Sequence, residues 1–180
     1  MINMKLKQAK FLANDIILAL KSGCVRIEIA GSIRRDKPEV KDIEIVVEPK
    51  YASNLDMFGI NQNCISMLDP LINELLFLSS AVLCKNGKKY KQISFPSICL
   101  DLFIVTPPAQ WGVIFTLRTG PAYFSHRLVS PKYNGFGYLS PGHKVAGGAL
   151  WYLDTIIPTP EEKDFFDIIG LDWIEPKDRI

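Results

Sequence analysis

Two carboxylates in the segment Asp42-Ile43-Glu44 are the strongest chemical feature of this sequence. Ile43, Ile45 and Val47 are apolar at every second position, which predicts a β-strand whose side chains alternate between two faces. Asp42 and Glu44 are therefore expected on the same face. Because neighbouring carboxylates repel each other, this arrangement indicates a bound cation, and carboxylate oxygens suit Mg²⁺.

A turn with anion-binding groups precedes this strand. Residues 25–30 predict a second, half-buried strand, which leads into Gly31-Ser32 and then Arg34 and Arg35. Backbone N–H groups, a hydroxyl and guanidinium groups are what a phosphate group needs. A phosphate cradle beside paired carboxylates is the layout of a metal-dependent phosphoryl-transfer site. The other interpretation is that Gly31-Ser32 is only a turn and that both arginines are solvated.

A further carboxylate interrupts an apolar segment. Asp101 lies within a strand predicted for residues 98–105, and charged groups are rarely buried in a strand without a partner. Asp101 could pair with an arginine. It could instead lie on a strand next to Asp42 and Glu44 and complete a cluster of three carboxylates for two Mg²⁺ ions.

Several lysines surround a predicted β-hairpin within residues 81–95. Asn86-Gly87 favours a type I′ turn between its two strands. One interpretation is a solvated hairpin whose lysines prevent pairing at the sheet edge; the other is a patch that contacts the phosphates of a primer–template duplex. The lysines are Lys85, Lys88, Lys89 and Lys91.

Helices and a small sheet are predicted around these segments. A helix over residues 5–22 and a second helix with Asp69 as N-cap and Pro70 at its first position flank the strands. In the second half, a helix follows Pro107-Pro108, and residues 173–180 are expected to pack on the same lobe. The other elements predicted there are a helix over 121–129, an antiparallel sheet within 133–153 and a helix from a capping box at 159–162 to Gly170.

Composition places limits on the function. The chain has 180 residues and a formal net charge of +2, so any contact with nucleic acid must come from local patches. The chain has four cysteines without a C-x-x-C pair and only two histidines, which argues against a zinc site. Scattered cysteines of this kind indicate reduced thiols, so we expect an intracellular protein, in the cytoplasm or nucleoid. No apolar run approaches the ~18 residues of a membrane span. We expect a monomer.

Together these motifs resemble the nucleotidyltransferase superfamily, with spacing closest to the family X DNA polymerases of the polymerase beta type. Gly-Ser-x-Arg-Arg at residues 31–35 precedes Asp42-x-Glu44, where the family usually has Asp-x-Asp. Residues 88–120 resemble the strand of the third carboxylate and the nucleotide-binding turn, and residues 162–179 resemble the C-terminus of that family.

The resemblance implies an α+β fold: a polymerase beta-like palm at residues 1–107, with a mixed sheet flanked by helices, and a small nucleotide-contacting lobe at 108–180. It implies a minimal form, like the short viral members, without the lyase and helix-hairpin-helix domains. The implied activity is template-directed DNA synthesis from dNTPs on primer–template or gapped DNA. A repair role with low processivity is expected.

The resemblance also implies roles for individual residues. Asp42, Glu44 and Asp101 would be the catalytic residues and would hold two Mg²⁺ ions, which Mn²⁺ can replace. Leu117 and Arg118 stand where the family has an aromatic pair beneath the sugar. The implied nucleotide-binding residues are Gly31, Ser32, Arg34, Arg35, Leu117, Arg118, Gly120 and Ser125.

Two other functions remain open at this point. One is a nucleotidyltransferase that acts on another acceptor, such as RNA, a protein or a small molecule. The other is a non-catalytic copy that binds nucleic acid.

Overall fold

The computed structural model describes the backbone of residues 3–55, 61–133 and 135–180, and the side chains of residues 3–52, 65–133 and 135–180. Cys24, Cys84 and Cys99 are free thiols, whereas the Cys64 side chain lies outside the described residues. None of the helices in the described ranges combines the length and the apolar character needed to cross a membrane.

The chain consists of short runs of strands separated by helices. The helices are α1 (Leu6–Leu20), α2 (Gly31–Arg34), α3 (Leu68–Ser79), α4 (Trp111–Thr119), α5 (Ala122–Leu128) and α6 (Glu162–Ile168), with 3₁₀ turns at Lys21–Gly23 and Pro176–Asp178. The strands are β1 (Met4–Lys5), β2 (Cys24–Ile29), β3 (Glu39–Val40), β4 (Asp42–Pro49), β5 (Tyr51–Leu55), β6 (Asn61–Ser66), β7 (Val82–Asn86), β8 (Tyr90–Ser94), β9 (Cys99–Ile104), β10 (His143–Ala146), β11 (Ala149–Tyr152) and β12 (Thr155–Ile157).

A five-stranded mixed sheet is the centre of the fold. Its strand order is β2-β4-β9-β8-β7, and β4 and β9 are parallel whereas the other neighbouring pairs are antiparallel. The predicted α+β architecture with a mixed sheet is therefore confirmed. The two small pairs β1-β3 and β5-β6 and the sheet β10-β11-β12 are antiparallel.

The two faces of the main sheet have different environments. On one face, Ile43, Ile45 and Leu100 are fully buried in a core that includes residues of α1 and α3. Side chains alternate along each strand, so Asp42, Glu44 and Asp101 lie on the opposite face. Helices α1 and α3 thus cover the face opposite the three carboxylates.

The second half of the chain has its own core. Phe165 and Phe166 of α6 are fully buried there beside residues of α4, α5 and β11, and Trp173 of the C-terminal segment packs against them, as predicted. A smaller apolar cluster joins this half to the sheet, because Trp111 and Phe115 of α4 are buried with Val46 of β4.

Two predicted helix starts were wrong in detail, and in each case the predicted cap residue contacts a residue far along the chain. Helix α6 is capped by Glu161 and Asp164, not by Thr159, since the Thr159 hydroxyl donates to Gln110 Oε1 at 2.7 Å. Helix α3 begins one residue before Asp69, whose carboxylate pairs with Lys91.

The predicted hairpin is present, but its turn is not a two-residue type I′ turn. Residues 87–89 connect β7 to β8, the Gly87 N–H donates to the Tyr90 carbonyl at 2.9 Å, and Gly87 has no positive φ. The antiparallel sheet predicted within 133–153 instead spans residues 143–157.

Candidate active site

The pairing of β4 with β9 brings the three predicted carboxylates to one place. In the parallel register, Glu44 lies directly opposite Asp101, and Asp42 lies opposite Cys99. Adjacent strands are about 4.8 Å apart, so this register places the carboxylates on neighbouring positions of one face. Asp101 has no salt bridge within the described residues, so the interpretation in which it pairs with an arginine finds no support.

Burial and the neighbouring carboxylates raise the pKa values of Asp42 and Glu44. Burial, together with the charges of Asp42 and Asp101, raises the pKa of Glu44 to about 7, although Arg35 and Arg118 oppose the shift. Burial and the charge of Asp101 also raise the pKa of Asp42 above its usual value. Burial is the largest cause of both shifts, and the charges of neighbouring carboxylates add to it.

Gly31 permits direct contact between the turn and this cluster. Its φ is +60°, and a Cβ at this position would lie 1.7 Å from Glu44 Oε2. The adjacent Ala30 N–H donates to the Glu44 carbonyl at 2.8 Å, which fixes the turn against β4. Only glycine satisfies both the left-handed backbone and the close approach of the carboxylate.

Two polar groups next to this turn lack partners. Ser32 Oγ and Arg35 Nε are buried and have no hydrogen-bond partner among the described residues. Arg35 Nη1 donates to the Thr119 carbonyl at 2.5 Å, which anchors its guanidinium in the site. Because buried donors are normally satisfied, an unpaired hydroxyl and an unpaired N–H group fit an anionic ligand.

Arg34 makes a different set of contacts. Its Nη1 donates to Thr119 Oγ1 at 2.7 Å, its Nη2 donates to Glu162 Oε2 at 2.6 Å, and its guanidinium lies 3.9 Å from the centroid of Phe115. Arg179 donates to the other oxygen of Glu162 at 2.8 Å. The structure thus places Arg34 in a contact between the two halves of the chain, where Thr119 and Glu162 accept hydrogen bonds from Nη1 and Nη2.

The carboxylate of Glu162, which both arginines contact, is held in its charged form. Burial acts to raise the pKa of Glu162, but hydrogen bonds and charges from Arg34 and Arg179 lower it below its usual value. Glu162 and Arg179 are both buried, so the three groups form an enclosed ion cluster.

A cavity of about 670 Å³ opens beside Glu44 and Asp101. The Arg118 guanidinium lies over the ring of Phe103 at 4.0 Å and lines this cavity. Cationic, aromatic, aliphatic and glycine residues form its remaining walls. They include Lys85, Lys89, Tyr90, Phe103, Gly147 and Gly148.

The other predicted nucleotide contacts lie elsewhere. Leu117 packs against the core of the second half, and its carbonyl accepts a hydrogen bond from Ser125 Oγ at 2.7 Å. A Cβ on Gly120 would lie 2.8 Å from the same Ser125 oxygen. These three residues support the end of α4, and only Arg118 of this group lines the cavity.

The predicted lysine patch divides into exposed and buried members. Lys85 and Lys89 line the 670 Å³ cavity, and Lys88 lines an adjacent groove. Lys91 is only 8% exposed and pairs with Asp69 at 3.1 Å and with Asn86. Lys91 is therefore not part of an exposed phosphate-binding patch, because Asp69 and Asn86 occupy its ammonium.

Tyr90 and Gln92 belong to the site although the sequence patterns did not single them out. Tyr90 Oη donates to Asp101 Oδ1 at 2.6 Å, and Gln92 Nε2 donates to the same oxygen at 3.0 Å. Their spacing of two residues on β8 is the available sequence signal. It indicates a shared face, but only the pairing of β8 with β9 reveals that Asp101 lies on it.

The side chains of the site offer carboxylate oxygens, the donor type that hard cations prefer. Within residues 3–52, 65–133 and 135–180, no three His, Cys, Asp or Glu side chains converge as a ready metal-ligand group. The carboxylates nevertheless share a face, and the charge of Asp101 contributes to the raised pKa values of Asp42 and Glu44. A divalent cation would relieve that repulsion. Oxygen donors of this type suit Mg²⁺ or Mn²⁺.

No protein-family model matches the chain, and no curated protein matches it significantly. The likeness to the polymerase beta type therefore depends on the motifs and on the positions of the residues that carry them.

Proposed function

We propose that this chain is a metal-dependent nucleotidyltransferase with a polymerase beta-like palm, and that it adds nucleotides from dNTPs to the 3′-hydroxyl of a primer. The main support for the proposal is the register of β4 and β9. It places Glu44 opposite Asp101, and Asp42 lies two residues before Glu44 on the same face. The contact between Gly31 and Glu44 adds a turn with phosphate-binding groups to the same place. The palm comprises residues 1–107, and residues 108–180 form the nucleotide-contacting lobe.

The residues of the site have distinct roles in this proposal. Asp42, Glu44 and Asp101 hold two Mg²⁺ ions, which when bound neutralise charge on phosphoryl oxygens and lower the pKa of a coordinated hydroxyl. Ser32 Oγ and Arg35 Nε donate to the phosphate oxygens of the dNTP, because both lack an acceptor within the described residues. Positioning and neutralisation of charge provide most of the acceleration in such reactions.

The cavity next to the carboxylates provides space and charge for nucleic acid. Lys85, Lys89 and Arg118 line it and can neutralise backbone phosphates, while Phe103 and Tyr90 offer aromatic surface. The net charge of +2 is small for a protein that grips DNA over a long stretch. We therefore expect weak, salt-sensitive binding and low processivity.

The test is single-nucleotide incorporation on a one-nucleotide-gapped duplex with Mg²⁺ and either dNTPs or NTPs. Asp101→Asn is expected to slow incorporation on the order of 10³-fold, since it removes a charge that holds the cation. Asp15→Asn is the matched control, because Asp15 is exposed on α1, which covers the other face of the sheet.

Two outcomes would contradict the proposal. Wild-type incorporation by Asp101→Asn would remove the carboxylate cluster from the chemistry. If the wild type binds dNTP but extends no primer, a screen of RNA, protein and small-molecule hydroxyls with α-labelled nucleotide identifies transfer to another acceptor.

A further inference from the structure

Asp101 is held by two neighbouring side chains through a single oxygen. Tyr90 Oη lies 2.6 Å and Gln92 Nε2 lies 3.0 Å from Asp101 Oδ1. Two donors on one oxygen restrict rotation of the carboxylate and leave the other oxygen, Oδ2, without a donor from either residue.

The sheet places both donors where they can act together. In the antiparallel register of β8 and β9, Gln92 lies opposite Asp101, and Tyr90 lies opposite Phe103. Gln92 therefore reaches Asp101 directly across the ladder, whereas Tyr90 reaches it diagonally on the same face. Neither contact depends on a loop.

The ring of Tyr90 is itself fixed by packing. It stacks on Phe103 with centroids 5.3 Å apart and an interplanar angle of 29°, and Lys85 Nζ lies 5.5 Å from its centroid on the cavity side. The guanidinium of Arg118, which lines the cavity, lies over Phe103, the ring on which Tyr90 stacks. A hydroxyl held in this way orients its acceptor at little entropic cost.

We propose that Tyr90 and Gln92 are positioning residues that orient Asp101 so that its Oδ2 faces the cation site. The inference rests on the proposed function, since it assigns Asp101 the role of a metal-binding carboxylate. Neither residue touches the reacting atoms; each acts through Asp101.

If Tyr90 and Gln92 had a purely structural role, different results would be expected. If the two donors only satisfied a half-buried carboxylate, their loss would lower thermal stability and leave cation affinity and kcat unchanged. If they position Asp101, kcat and cation affinity fall together, because a misdirected carboxylate binds the cation less well.

The experiment compares Tyr90→Phe, Gln92→Met and the double variant with the wild type. Tyr90→Phe keeps the stacking on Phe103 and removes only the hydroxyl, and Gln92→Met keeps the side-chain length. Tyr152→Phe is the control, because Tyr152 is half-exposed on β11 and its hydroxyl makes no hydrogen bond within the described residues. Three quantities are measured: gap-filling kcat and KM, Mn²⁺ affinity by electron paramagnetic resonance in the absence of nucleotide, and melting temperature.

Each single variant is expected to lower kcat and Mn²⁺ affinity roughly 10-fold, with the KM for dNTP within about twofold of wild type. The double variant is expected to lose more than the product of the single effects, since each remaining donor partly holds the shared oxygen in the single variants. Tyr152→Phe should match the wild type in all three measurements.

The inference is overturned if Tyr90→Phe and Gln92→Met change only the melting temperature, or if the double variant retains wild-type Mn²⁺ affinity. Asp101→Asn separates this failure from failure of the proposed function. If the wild type transfers no nucleotide but Mn²⁺ affinity falls in Asp101→Asn and in both donor variants, the positioning role stands while the polymerase assignment fails.

Discussion

Replacing Glu44 with glutamine is expected to stabilise the metal-free protein while abolishing nucleotide transfer. The pKa of Glu44 is raised from 4.5 to about 7, chiefly by burial and then by Asp42. Glutamine resembles the protonated form of Glu44 in shape and removes the charge that the folded protein disfavours. The variant should therefore separate stability from activity.

The sign of the pH dependence follows from the direction of the shift. As pH rises above 4.5, the unfolded chain loses the Glu44 proton before the folded protein does. Folding is therefore progressively destabilised by this group up to about pH 7, and the penalty remains at higher pH. The advantage of Glu44→Gln should be small near pH 4.5 and reach its full size above pH 7.

The magnitude can be worked from the same shift. At 1.36 kcal/mol per pKa unit, the shift corresponds to about 3 kcal/mol. Because Glu44 is half-buried, solvent screening reduces the expected gain to about 2 kcal/mol. For a chain of this length, that corresponds to a rise in melting temperature of about 5 °C.

The assay is thermal unfolding of wild type and Glu44→Gln in chelator at several pH values between 5 and 8, followed by the same series with Mg²⁺. Glu48→Gln, on the same strand, is the control. With Mg²⁺ the wild type should gain stability and the variant should gain little, because a ligand stabilises the state that binds it. An advantage of Glu44→Gln that is the same at pH 5 and pH 8, or a loss of stability at pH 8, would refute the reasoning.

Three further perturbations test other parts of the site. Gly31→Ala should slow gap filling roughly 10²-fold, because its Cβ would overlap Glu44 Oε2 and misplace the carboxylate. Glu162→Gln should lower the free energy of unfolding by about 3 kcal/mol in thermal or urea unfolding, since it leaves buried Arg179 without its counter-charge. Lys89→Ala should reduce the slope of log Kd for gapped DNA against log salt by about 1, if this cavity-lining ammonium contacts a phosphate.

Each of these perturbations has a matched control. Gly170 has a positive φ like Gly31, but a Cβ at Gly170 would lie in open space. If Gly170→Ala and Gly31→Ala lower the gap-filling rate equally, the contact with Glu44 is not the cause of the loss. Asp36→Asn breaks a more exposed pair with Lys10 and should cost at most about 1 kcal/mol; an equally small loss in Glu162→Gln would contradict its buried role. Lys7→Ala on α1 should leave the salt slope unchanged, and an unchanged slope in Lys89→Ala would remove that lysine from the DNA contact.

Local periodicity was sufficient to predict part of the site. Apolar residues at every second position placed Asp42 and Glu44 on one face of a strand, and burial alternates over residues 42–45 of β4. The turn at Gly31 could also be predicted, because glycine and serine after an apolar strand mark a tight turn. These features depend on residues close in the chain, where spacing alone determines which side chains share a face.

The remaining features depend on partners far apart in the chain. Thr159 matches the sequence pattern of a helix cap, but its hydroxyl donates a hydrogen bond to Gln110, and Glu161 caps α6 instead. From its neighbours in the sequence, Lys91 is expected in a basic patch, but its ammonium forms an ion pair with Asp69. The role of Tyr90 emerges only from the register of β8 with β9, which local spacing does not determine.

The most direct test of the central claim is X-ray diffraction from crystals grown with Mn²⁺ and a non-hydrolysable dNTP analogue. We expect anomalous density bounded by the Asp42, Glu44 and Asp101 carboxylates, with the triphosphate against Ser32 and Arg35. Nucleotide bound elsewhere, or Mn²⁺ absent from the three carboxylates while nucleotide is present, would contradict the assignment of this cluster as the catalytic centre.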